Sequence, residues 1–458
     1  MGFARIGWVE NPPILNNHLR WVLLPTLREL NYVMLLKQVK LTHFRCFNQL
    51  EINLHPHLTV FVGNNGAGKT AILDGIAIGL GPILTHLPRV SGTRLKESDL
   101  KIKDEKALFV RVQMETVNLV WDITKKRDNS QKTIAAIPKP KGIKQLREFL
   151  DIFIDDLNEN KPTTLPVFVY YDTNRVAPET TALKPHLPQD GSRFKALNNA
   201  LQSNSQFKEI LEWFYAMEFE ELKIKQAHQD LSYRLPALEA IRQAITTMIP
   251  EISNPHISTN PPYFMVSWHH NGRNLDLRLE QLSDGYRLML ILVMDLARRL
   301  AQANPHLKEP LQSEAIVLID EVDLHLHPKW QQTVLLDLQR TFPNTQFIVT
   351  THSPQVLTTV NKENILILEN GTLYEQLTNT YGAESVRLLE EVMNVSSRPE
   401  NLEEVQKLSQ YLELVNQGDY ATEQAYILRG ELEKTFRGGD STLDLADMVI
   451  RRHKALAM

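Results

Sequence analysis

The sequence is poor in cysteine and has no long hydrophobic run. Cys46 is its single cysteine, so no disulfide bond can form within the 458-residue chain, and such usage is typical of a reducing cytoplasm. The longest unbroken apolar run, residues 288–294, is far shorter than the roughly 20 residues that a membrane-spanning helix needs. The first residues also lack the basic and apolar regions of a secretion signal. We therefore expect a cytoplasmic protein with no membrane partner.

A long block of basic residues is absent as well. The chain has 50 Lys and Arg residues against 54 Asp and Glu residues, which gives a formal charge of −4. This balance argues against an extended basic surface that binds nucleic acid, although folding can still bring basic residues together locally. We therefore expect any contact with DNA to be local or to be supplied by a partner.

Hydrophobic patterning predicts an α/β fold with a mainly parallel sheet. Apolar strands at residues 58–63, 315–320 and 346–351 alternate with helical stretches, and residues 107–124 alternate in hydrophobicity as an antiparallel hairpin does. Translation could start at Met1 or at Met34, which stands directly before the first strand. We expect five segments: an extension to which we assign no function (1–33), an amino-terminal core lobe (34–84), an inserted β and helical lobe (85–260), a carboxy-terminal core lobe (261–371) and a helical tail (372–458).

Residues 63–70 match a phosphate-binding loop. The segment GNNGAGKT follows a predicted strand and precedes a predicted helix, which is the context that this motif requires. Glycines let backbone N–H groups face the phosphates, the lysine reaches the β and γ phosphates, and the threonine ligates Mg²⁺. A glycine-rich turn with a chance lysine is the alternative, and this context argues against it. The predicted nucleotide-binding residues are Gly63, Asn64, Asn65, Gly66, Ala67, Gly68, Lys69 and Thr70.

Two adjacent acids, Asp320 and Glu321, stand at the end of the apolar strand 315–320. The carboxyl end of such a buried strand lies at the edge where parallel α/β sheets bind ligands. We expect Asp320 to hold Mg²⁺ and Glu321 to polarise the water that attacks ATP. In an isolated strand the pair could instead cap the following helix, but the phosphate loop requires an acidic partner of this kind.

Three histidines follow these strands. His352 ends the strand of residues 345–351 and should lie along the same edge, either in contact with the γ phosphate or as a buried polar residue; we favour the contact. His325 and His327 stand two residues apart without a clear third ligand, so we predict no zinc site.

The segment QLSDGYR, residues 281–287, opens a strongly apolar helix, and Ser283 or Asp284 should cap its amino end. In order along the chain, GNNGAGKT, LSDGYR, VLIDEVD and the strand before His352 resemble the ABC-type ATPase heads of the SMC/RecF class. In this sequence LSDGYR stands where that class has the signature LSGGQ. The resemblance implies that Ser283 and the backbone of Gly285 grip the γ phosphate bound by a second protomer, and that Asp323 is the D-loop aspartate at that interface.

One chain holds one phosphate loop and one signature, so the resemblance implies a homodimer or a larger oligomer. The signature departs from the family pattern at Asp284 and Tyr286, and an aspartate beside a triphosphate is unfavourable unless Arg287 offsets its charge. The family's Q-loop has no clear equivalent. Gln113 lies in the predicted hairpin, so residues 173–175 are the better candidate for coupling the nucleotide to the lobe.

Looser patterns narrow the resemblance to the PtuA-like ATPases of Septu defence systems and of retrons with the same gene pair. They are EILEWFYAMEFEELK (209–223), PVFVYYDTNR (166–175), EVDLHLHP (321–328) and TYGAESVRLLEEVMNVSSRP (380–399), and the similarity extends over about residues 35–458. It implies an antiviral ATPase that holds an HNH nuclease, PtuB. In some systems a reverse transcriptase with its RNA–DNA product is also bound, so that the ATPase contacts DNA indirectly, through its partners.

Other functions stay open. A transporter subunit would have a more compact helical subdomain. An OLD-type nuclease would carry a metal-dependent nuclease domain after the ATPase, whereas the tail is short and the acids of DLADM (444–448) suit a solvated helix face. A RecF-like or SMC-like repair ATPase fits if its lobe is short, since sustained heptads are absent. The tail itself has leucines at helical spacing and either packs on the core or docks a partner.

Overall fold

The chain divides into two compact units, Met1–Tyr381 and Gly382–Met458. The structure, a computed structural model, describes residues 34–102, 106–159, 161–174, 192–202, 207–270, 272–436 and 439–456. The extension 1–33 and the last residue of the expected coupling segment 173–175 lie outside the described residues. Within these ranges no helix is both long and apolar enough to cross a lipid bilayer.

Thirteen strands are described, and all of them belong to the first unit. Their bounds are β1 (Leu36–Thr42), β2 (Gln49–Asn53), β3 (Leu58–Val62), β4 (Phe109–Thr116), β5 (Val120–Lys126), β6 (Val167–Tyr171), β7 (Ile252–Ile257), β8 (Phe264–His270), β9 (Arg273–Arg278), β10 (Ala315–Ile319), β11 (Thr345–Thr350), β12 (Ile365–Glu369) and β13 (Thr372–Glu375).

The described helices alternate with these strands and then form the second unit. Their bounds are α1 (Lys69–His86), α2 (Gln131–Ala136), α3 (Ile143–Asn158), α4 (Phe207–His228), α5 (Pro236–Met248), α6 (Asp284–Ala303), α7 (Pro328–Gln331), α8 (Val334–Thr341), α9 (Pro354–Leu357), α10 (Ser385–Glu391), α11 (Glu403–Gln417), α12 (Glu423–Phe436) and α13 (Ser441–Leu456).

A six-stranded sheet with the order β13-β12-β3-β11-β10-β6 forms the centre of the first unit. All neighbouring strands run parallel except β12 and β13. Every residue of β3, β6, β10 and β11 is buried, which explains why these strands have no polar alternation. The predicted α/β fold with a mainly parallel sheet is confirmed.

Two antiparallel sheets accompany the central one, with the orders β2-β1-β4-β5 and β7-β8-β9. The first is tied to helix α1 by Trp121 of β5, which is fully buried and donates its indole N–H to the Gly79 carbonyl at 2.9 Å. Helix α1 therefore lies between the phosphate loop at its amino end and the β4–β5 hairpin near its carboxyl end.

The segment boundaries differ from those expected from the sequence in two places. Residues 85–260 do not form a single inserted lobe, because β4 pairs with β1 and β6 joins the central sheet beside β10. The tail begins at Gly382 instead of residue 372, because β13 pairs with β12 in the central sheet. The first difference comes from pairings between strands far apart in the chain, which local patterns do not encode. The second comes from a local hairpin, in which Asn370-Gly371 joins β12 to β13.

The second unit has a hydrophobic core of its own. Its described residues form the helices α10–α13 and connecting turns, without a strand among them. The core residues are Leu408, Tyr411, Val415, Ala425, Leu428, Leu432, Leu443 and Ala446.

Candidate ATP-binding site

The phosphate loop joins β3 to α1, and its shape depends on glycine. Gly66 and Gly68 have φ angles of 79° and 110°, in the left-handed region that other residues rarely adopt. A Cβ atom at Gly68 would also lie 2.7 Å from a ring carbon of Phe47 and 2.8 Å from the sulfur of Cys46. The loop can therefore curl at the start of α1 only with a glycine at residue 68.

Lys69, the first residue of α1, is buried beneath this loop. Its Nζ atom donates hydrogen bonds to the carbonyl oxygens of Gly63 at 2.8 Å and Asn64 at 3.1 Å. Burial lowers the pKa of Lys69, while the nearby carboxylates of residues 320–323 oppose that shift. A cation is thus placed directly under the loop, facing the acidic end of β10.

Asp320, which is 1% exposed, joins three elements at the end of β10. Its Oδ2 atom accepts a hydrogen bond from the Thr70 hydroxyl at 2.7 Å, and its Oδ1 atom accepts one from the Thr350 hydroxyl at 2.6 Å. The Thr350 oxygen in turn accepts the backbone N–H of Glu321 at 2.8 Å. The structure therefore brings the two ends of the predicted site, Thr70 and Asp320, into direct contact.

Glu321 has a φ angle of 48°, which is uncommon for a residue with a side chain. Its backbone N–H is held by Thr350, so the conformation is fixed by the neighbouring strand. Such backbone strain is found most often at functional sites, where the surrounding structure offsets its cost. The strained position coincides with the residue that the sequence assigns to water activation.

His352 and Asp323 lie next to each other beyond the ends of β11 and β10. The Thr351 hydroxyl donates to Asp323 Oδ1 at 2.6 Å, and the backbone N–H of His352 approaches the same oxygen at 3.4 Å. Burial, followed by the charge of Lys69, lowers the pKa of His352. The surroundings therefore favour the neutral form of the His352 imidazole. His327 has a different role, because its Nδ1 atom caps α7 by accepting the Lys329 N–H at 3.3 Å.

The turn predicted to act as the signature precedes α6, with Ser283 at the N-cap position. Its side chain makes no capping hydrogen bond and is exposed, so the expected local capping by the serine hydroxyl does not occur. A Cβ atom at Gly285 would lie 2.7 Å from the carbonyl oxygen of His325, so the start of α6 packs closely on the segment after β10. Asp284 forms an ion pair with Arg287, whose hydrogen bond and charge lower the pKa of Asp284.

Two further groups near the site were missed by sequence reasoning. Asp172, buried one residue beyond β6, accepts hydrogen bonds from the backbone and side-chain nitrogens of Asn174, each at 3.1 Å. Because β6 pairs with β10, Asp172 lies at the same sheet edge as Asp320. Thr350 is the second group, and its signal was the polar TT pair that directly follows the apolar residues 347–349.

Comparison with known proteins agrees with this geometry. Residues 38–253 match the family model of an AAA domain, and residues 192–357 match that of an AAA ATPase domain. The "Retron Ec83 probable ATPase" of Escherichia coli is 28% identical over 465 residues, which cover 88% of this chain and 84% of that protein. The chain is an ATPase related to those of retrons. The predicted enzyme class is therefore confirmed.

Other similarities are more restricted. The Septu protein PtuA of Bacillus mycoides is 39% identical over 94 residues, covering 20% of this chain and 13% of that protein, so the PtuA match is partial while the retron match spans most of the chain. Among solved structures, the SMC head domain from Thermotoga maritima matches with a TM-score of 0.42 and 16% identity, over 75% of this chain and 100% of that chain.

Proposed function

We propose that this ATPase is a subunit of an antiphage defence complex, in which two heads close around ATP and thereby set the activity of an associated HNH nuclease. The observation that carries the proposal is the placement of the half-sites. Thr70 and Asp320 meet at 2.7 Å, whereas no hydrogen bond among the described residues joins the turn 283–287 to the phosphate loop. The signature is therefore available to a second protomer, and the relationship to retron ATPases supports a role in defence.

The donor set at the end of β10 fits Mg²⁺. The Thr70 hydroxyl and the Asp320 carboxylate provide two oxygen ligands of the kind that Mg²⁺ prefers, and they already contact each other. These residues would hold the ion, which when bound neutralises charge on the β and γ phosphates. The buried position of Asp320 keeps its carboxylate fixed by Thr70 and Thr350.

Hydrolysis would then depend on three side chains of the same protomer. Lys69 exchanges its hydrogen bonds to loop carbonyls for contacts with the β and γ phosphates. Glu321 orients and polarises the attacking water, and its strained backbone, held by Thr350, fixes the direction of its side chain. His352 would donate a hydrogen bond from its imidazole N–H to the γ phosphate.

The second protomer would contribute the start of α6. Ser283 is exposed and free of a capping hydrogen bond, and the backbone N–H of Gly285 stands in the first turn, where the helix dipole favours an anion. Asp284 would meet the triphosphate as half of an ion pair with Arg287, which offsets its charge. Asp323 would lie across the same interface.

Three substitutions test this arrangement through separate outcomes. Lys69→Ala should abolish ATP binding, Glu321→Gln should bind ATP and accumulate as a stable dimer, and Ser283→Arg should bind ATP as a monomer. ATP binding is measured by calorimetry, and mass by light scattering during size-exclusion chromatography. If Ser283→Arg dimerised with ATP and hydrolysed it at the normal rate, the assignment of the signature would be wrong.

The second unit offers a candidate surface for the nuclease. Its helices expose large apolar side chains, Ile427 at 56% and Met448 at 55%, outside the unit's own core. Ile427→Glu/Met448→Glu should abolish co-purification with the HNH nuclease encoded by a neighbouring gene. The matched control is Leu231→Glu, an exposed leucine of the first unit, which should retain the nuclease. Equal retention by both variants would exclude this surface.

An OLD-type nuclease and a repair ATPase are the competing functions. In the described parts of the chain no group of three or more His, Cys, Asp and Glu residues is placed to hold a metal ion. One acid of DLADM, Asp447, is engaged by Arg429 at 2.9 Å. If the purified chain alone cut DNA with Mg²⁺ and lost that activity on Asp444→Ala, the nuclease function would replace the one proposed.

The retron context has its own test. Co-purification of a reverse transcriptase and an RNA–DNA product with this ATPase would place the complex in a retron.

A further inference from the structure

A cavity of about 640 Å³ opens between the carboxyl end of α1, strand β5 and helix α3. Its size falls within the range of small-molecule sites, roughly 300 to 1,000 Å³. Apolar side chains, among them Leu95, Ile123 and Leu146, line part of it, and the Thr124 hydroxyl lies on the same wall. None of its lining residues belongs to the ATP-binding site, which lies at the opposite end of α1.

Three cations, Arg94, Lys125 and Arg147, line this cavity. None of them forms a direct ion pair with a residue that the structure describes, although the charge of Lys125 helps to lower the pKa of the nearby Glu97 carboxyl group. The acidic group of the lining is different, because Asp122 is bound by Arg111. His86 is also occupied, through a hydrogen bond of 2.6 Å to the carboxylate of Asp151. The cavity therefore gathers three positive charges that its own wall does not neutralise.

Close backbone contacts fix the walls that carry these cations. A Cβ atom at Gly81 of α1 would lie 2.0 Å from the carbonyl oxygen of Thr93, and one at Gly92 would lie 2.3 Å from that of Gly81. At the start of α3, Gly142 has a φ of +67°, and its Cβ would lie 1.5 Å from the Val120 carbonyl oxygen. Only glycine permits these approaches, so the cavity is built into the backbone.

The charge around the cavity departs from that of the whole chain. Residues 82–150 contain 15 Lys and Arg against 8 Asp and Glu, a formal charge of +7, whereas the complete chain carries −4. Positive potential is therefore concentrated in the region that forms the cavity. A local cationic site of this kind raises the local concentration of anions and steers them towards it.

We propose that this cavity binds a phosphate ester, carried either by a free nucleotide or by the backbone of single-stranded nucleic acid. The three cations match the charge of phosphate groups, and the apolar wall suits the face of a base or sugar. The site needs neither ATP binding nor contact between two heads. Its test can therefore succeed or fail independently of the function proposed above.

The test uses the full chain with Lys69→Ala, so that the phosphate loop binds no nucleotide. The cavity variant is Arg94→Ala/Lys125→Ala/Arg147→Ala, and the probe is a fluorescein-labelled single-stranded oligothymidylate followed by fluorescence anisotropy. The control, Lys126→Ala/Lys132→Ala/Lys139→Ala, removes three exposed cations of the same region that do not line the cavity. We expect the cavity variant to bind at least about tenfold more weakly, and the control less than about threefold.

Two further measurements sharpen this comparison. Loss of three phosphate contacts should reduce the slope of log affinity against log salt by about 2 for a single strand. The charge-conserving variant Arg94→Lys/Lys125→Arg/Arg147→Lys should retain binding, because its three positive charges remain. Thermal unfolding of each variant checks that weaker binding does not come from loss of the fold.

The source of the phosphate follows from competition with AMP. Displacement of the probe by AMP would identify a free nucleotide as a ligand, while resistance to AMP would identify the nucleic-acid backbone; both results support the cavity as a phosphate site. Equal weakening in the cavity variant and the control would show diffuse attraction instead. That result would overturn the proposal. It would also be overturned if neither the probe nor AMP bound to the parent protein.

Discussion

Thr350 donates its hydroxyl hydrogen to the buried carboxylate of Asp320 at 2.6 Å. The same oxygen accepts the backbone N–H of Glu321 at 2.8 Å, so one side chain of β11 holds both acids at the end of β10. The geometry of the two acids proposed for metal binding and water activation is thereby tied to a residue that would contact neither ATP nor Mg²⁺.

Removal of this hydroxyl should slow hydrolysis more than it weakens ATP binding. In Thr350→Val the carboxylate loses a donor and the N–H of Glu321 loses its acceptor, which we expect to cost about 1–3 kcal/mol of stability and about tenfold in kcat. Steady-state ATPase assays and chemical unfolding measure the two effects. The control is Thr345→Val on the same strand, whose buried hydroxyl makes no hydrogen bond with a described residue. Equal losses in both variants would contradict the positioning role.

The ion pair between Asp284 and Arg287 makes a prediction about head closure. Arg287→Ala leaves the aspartate without its partner at the surface proposed to meet a triphosphate, so ATP-dependent dimerisation should weaken by about three- to tenfold. Asp284→Asn added to Arg287→Ala should restore much of the affinity, because the repelling charge is gone. Sedimentation with ATP on a Glu321→Gln background measures both variants. No recovery in the double variant would show that the arginine acts in another way.

Glu218 should make stability depend on pH. Burial raises its pKa to about 7 from a usual value of 4.5, although the backbone N–H of Ile257 donates to it at 3.0 Å. Between these values the folded state binds more protons than the unfolded state, so stability falls as pH rises. Glu218→Gln keeps an acceptor and cannot ionise, and should therefore be more stable than the parent by about 3 kcal/mol at pH above 7.

Urea unfolding across the pH range checks this prediction. The advantage of Glu218→Gln should shrink towards pH 4.5, where the glutamate is protonated in the folded state. Glu220→Gln, an exposed neighbour on the same helix, is the control. A difference between Glu218→Gln and the parent that stays constant with pH would mean that the carboxyl group does not titrate as expected.

Asp295 should be a large contributor to the stability of α6. It is buried and bound by Arg298 and Arg299, each at 2.7 Å, and by the Tyr171 hydroxyl at 3.1 Å. Burial opposes its ionisation, but the two arginines override it and lower the pKa to about 2. Asp295→Asn leaves two buried cations unmatched, and we expect a loss of about 3–5 kcal/mol.

The pH dependence of this loss has the opposite sign to that of Glu218. The contribution of Asp295 is fully present above its usual value near 3.8 and disappears as pH falls through about 2. Denaturation monitored by circular dichroism should therefore show parent and Asp295→Asn converging in acid. A loss under 1 kcal/mol at neutral pH, on the order of an exposed ion pair, would contradict this assignment.

Sequence predicted those parts of the site that are encoded locally. The phosphate loop is a contiguous motif between a strand and a helix, and Asp320 and Glu321 follow one apolar strand. Arg287, three positions after Asp284 on a helix, is near enough to pair with it, and that spacing is visible in the sequence.

The remaining features depend on pairing between distant segments. Thr350 reaches Asp320 only because β10 and β11 are neighbours in register, and Arg94, Lys125 and Arg147 meet only after β4–β5 and α3 pack near α1. The overall charge of −4 conceals this cationic site because acidic residues elsewhere outweigh it. Neither the contact between Thr350 and Asp320 nor the cluster of cations has a fixed spacing along the chain that a single sequence could reveal.

Helix α1 has a mechanical consequence. Its 18 residues extend over about 27 Å, with Lys69 at one end, Pro82 inside the helix and His86 at the other end. A tilt of about 5° about the lysine would displace the far end by about 2 Å, which exceeds the tolerance of a hydrogen bond. The phosphate loop and the cationic cavity lie at the two ends of α1. A small rotation of the helix at the phosphate loop would therefore displace the residues at the cavity by a larger distance.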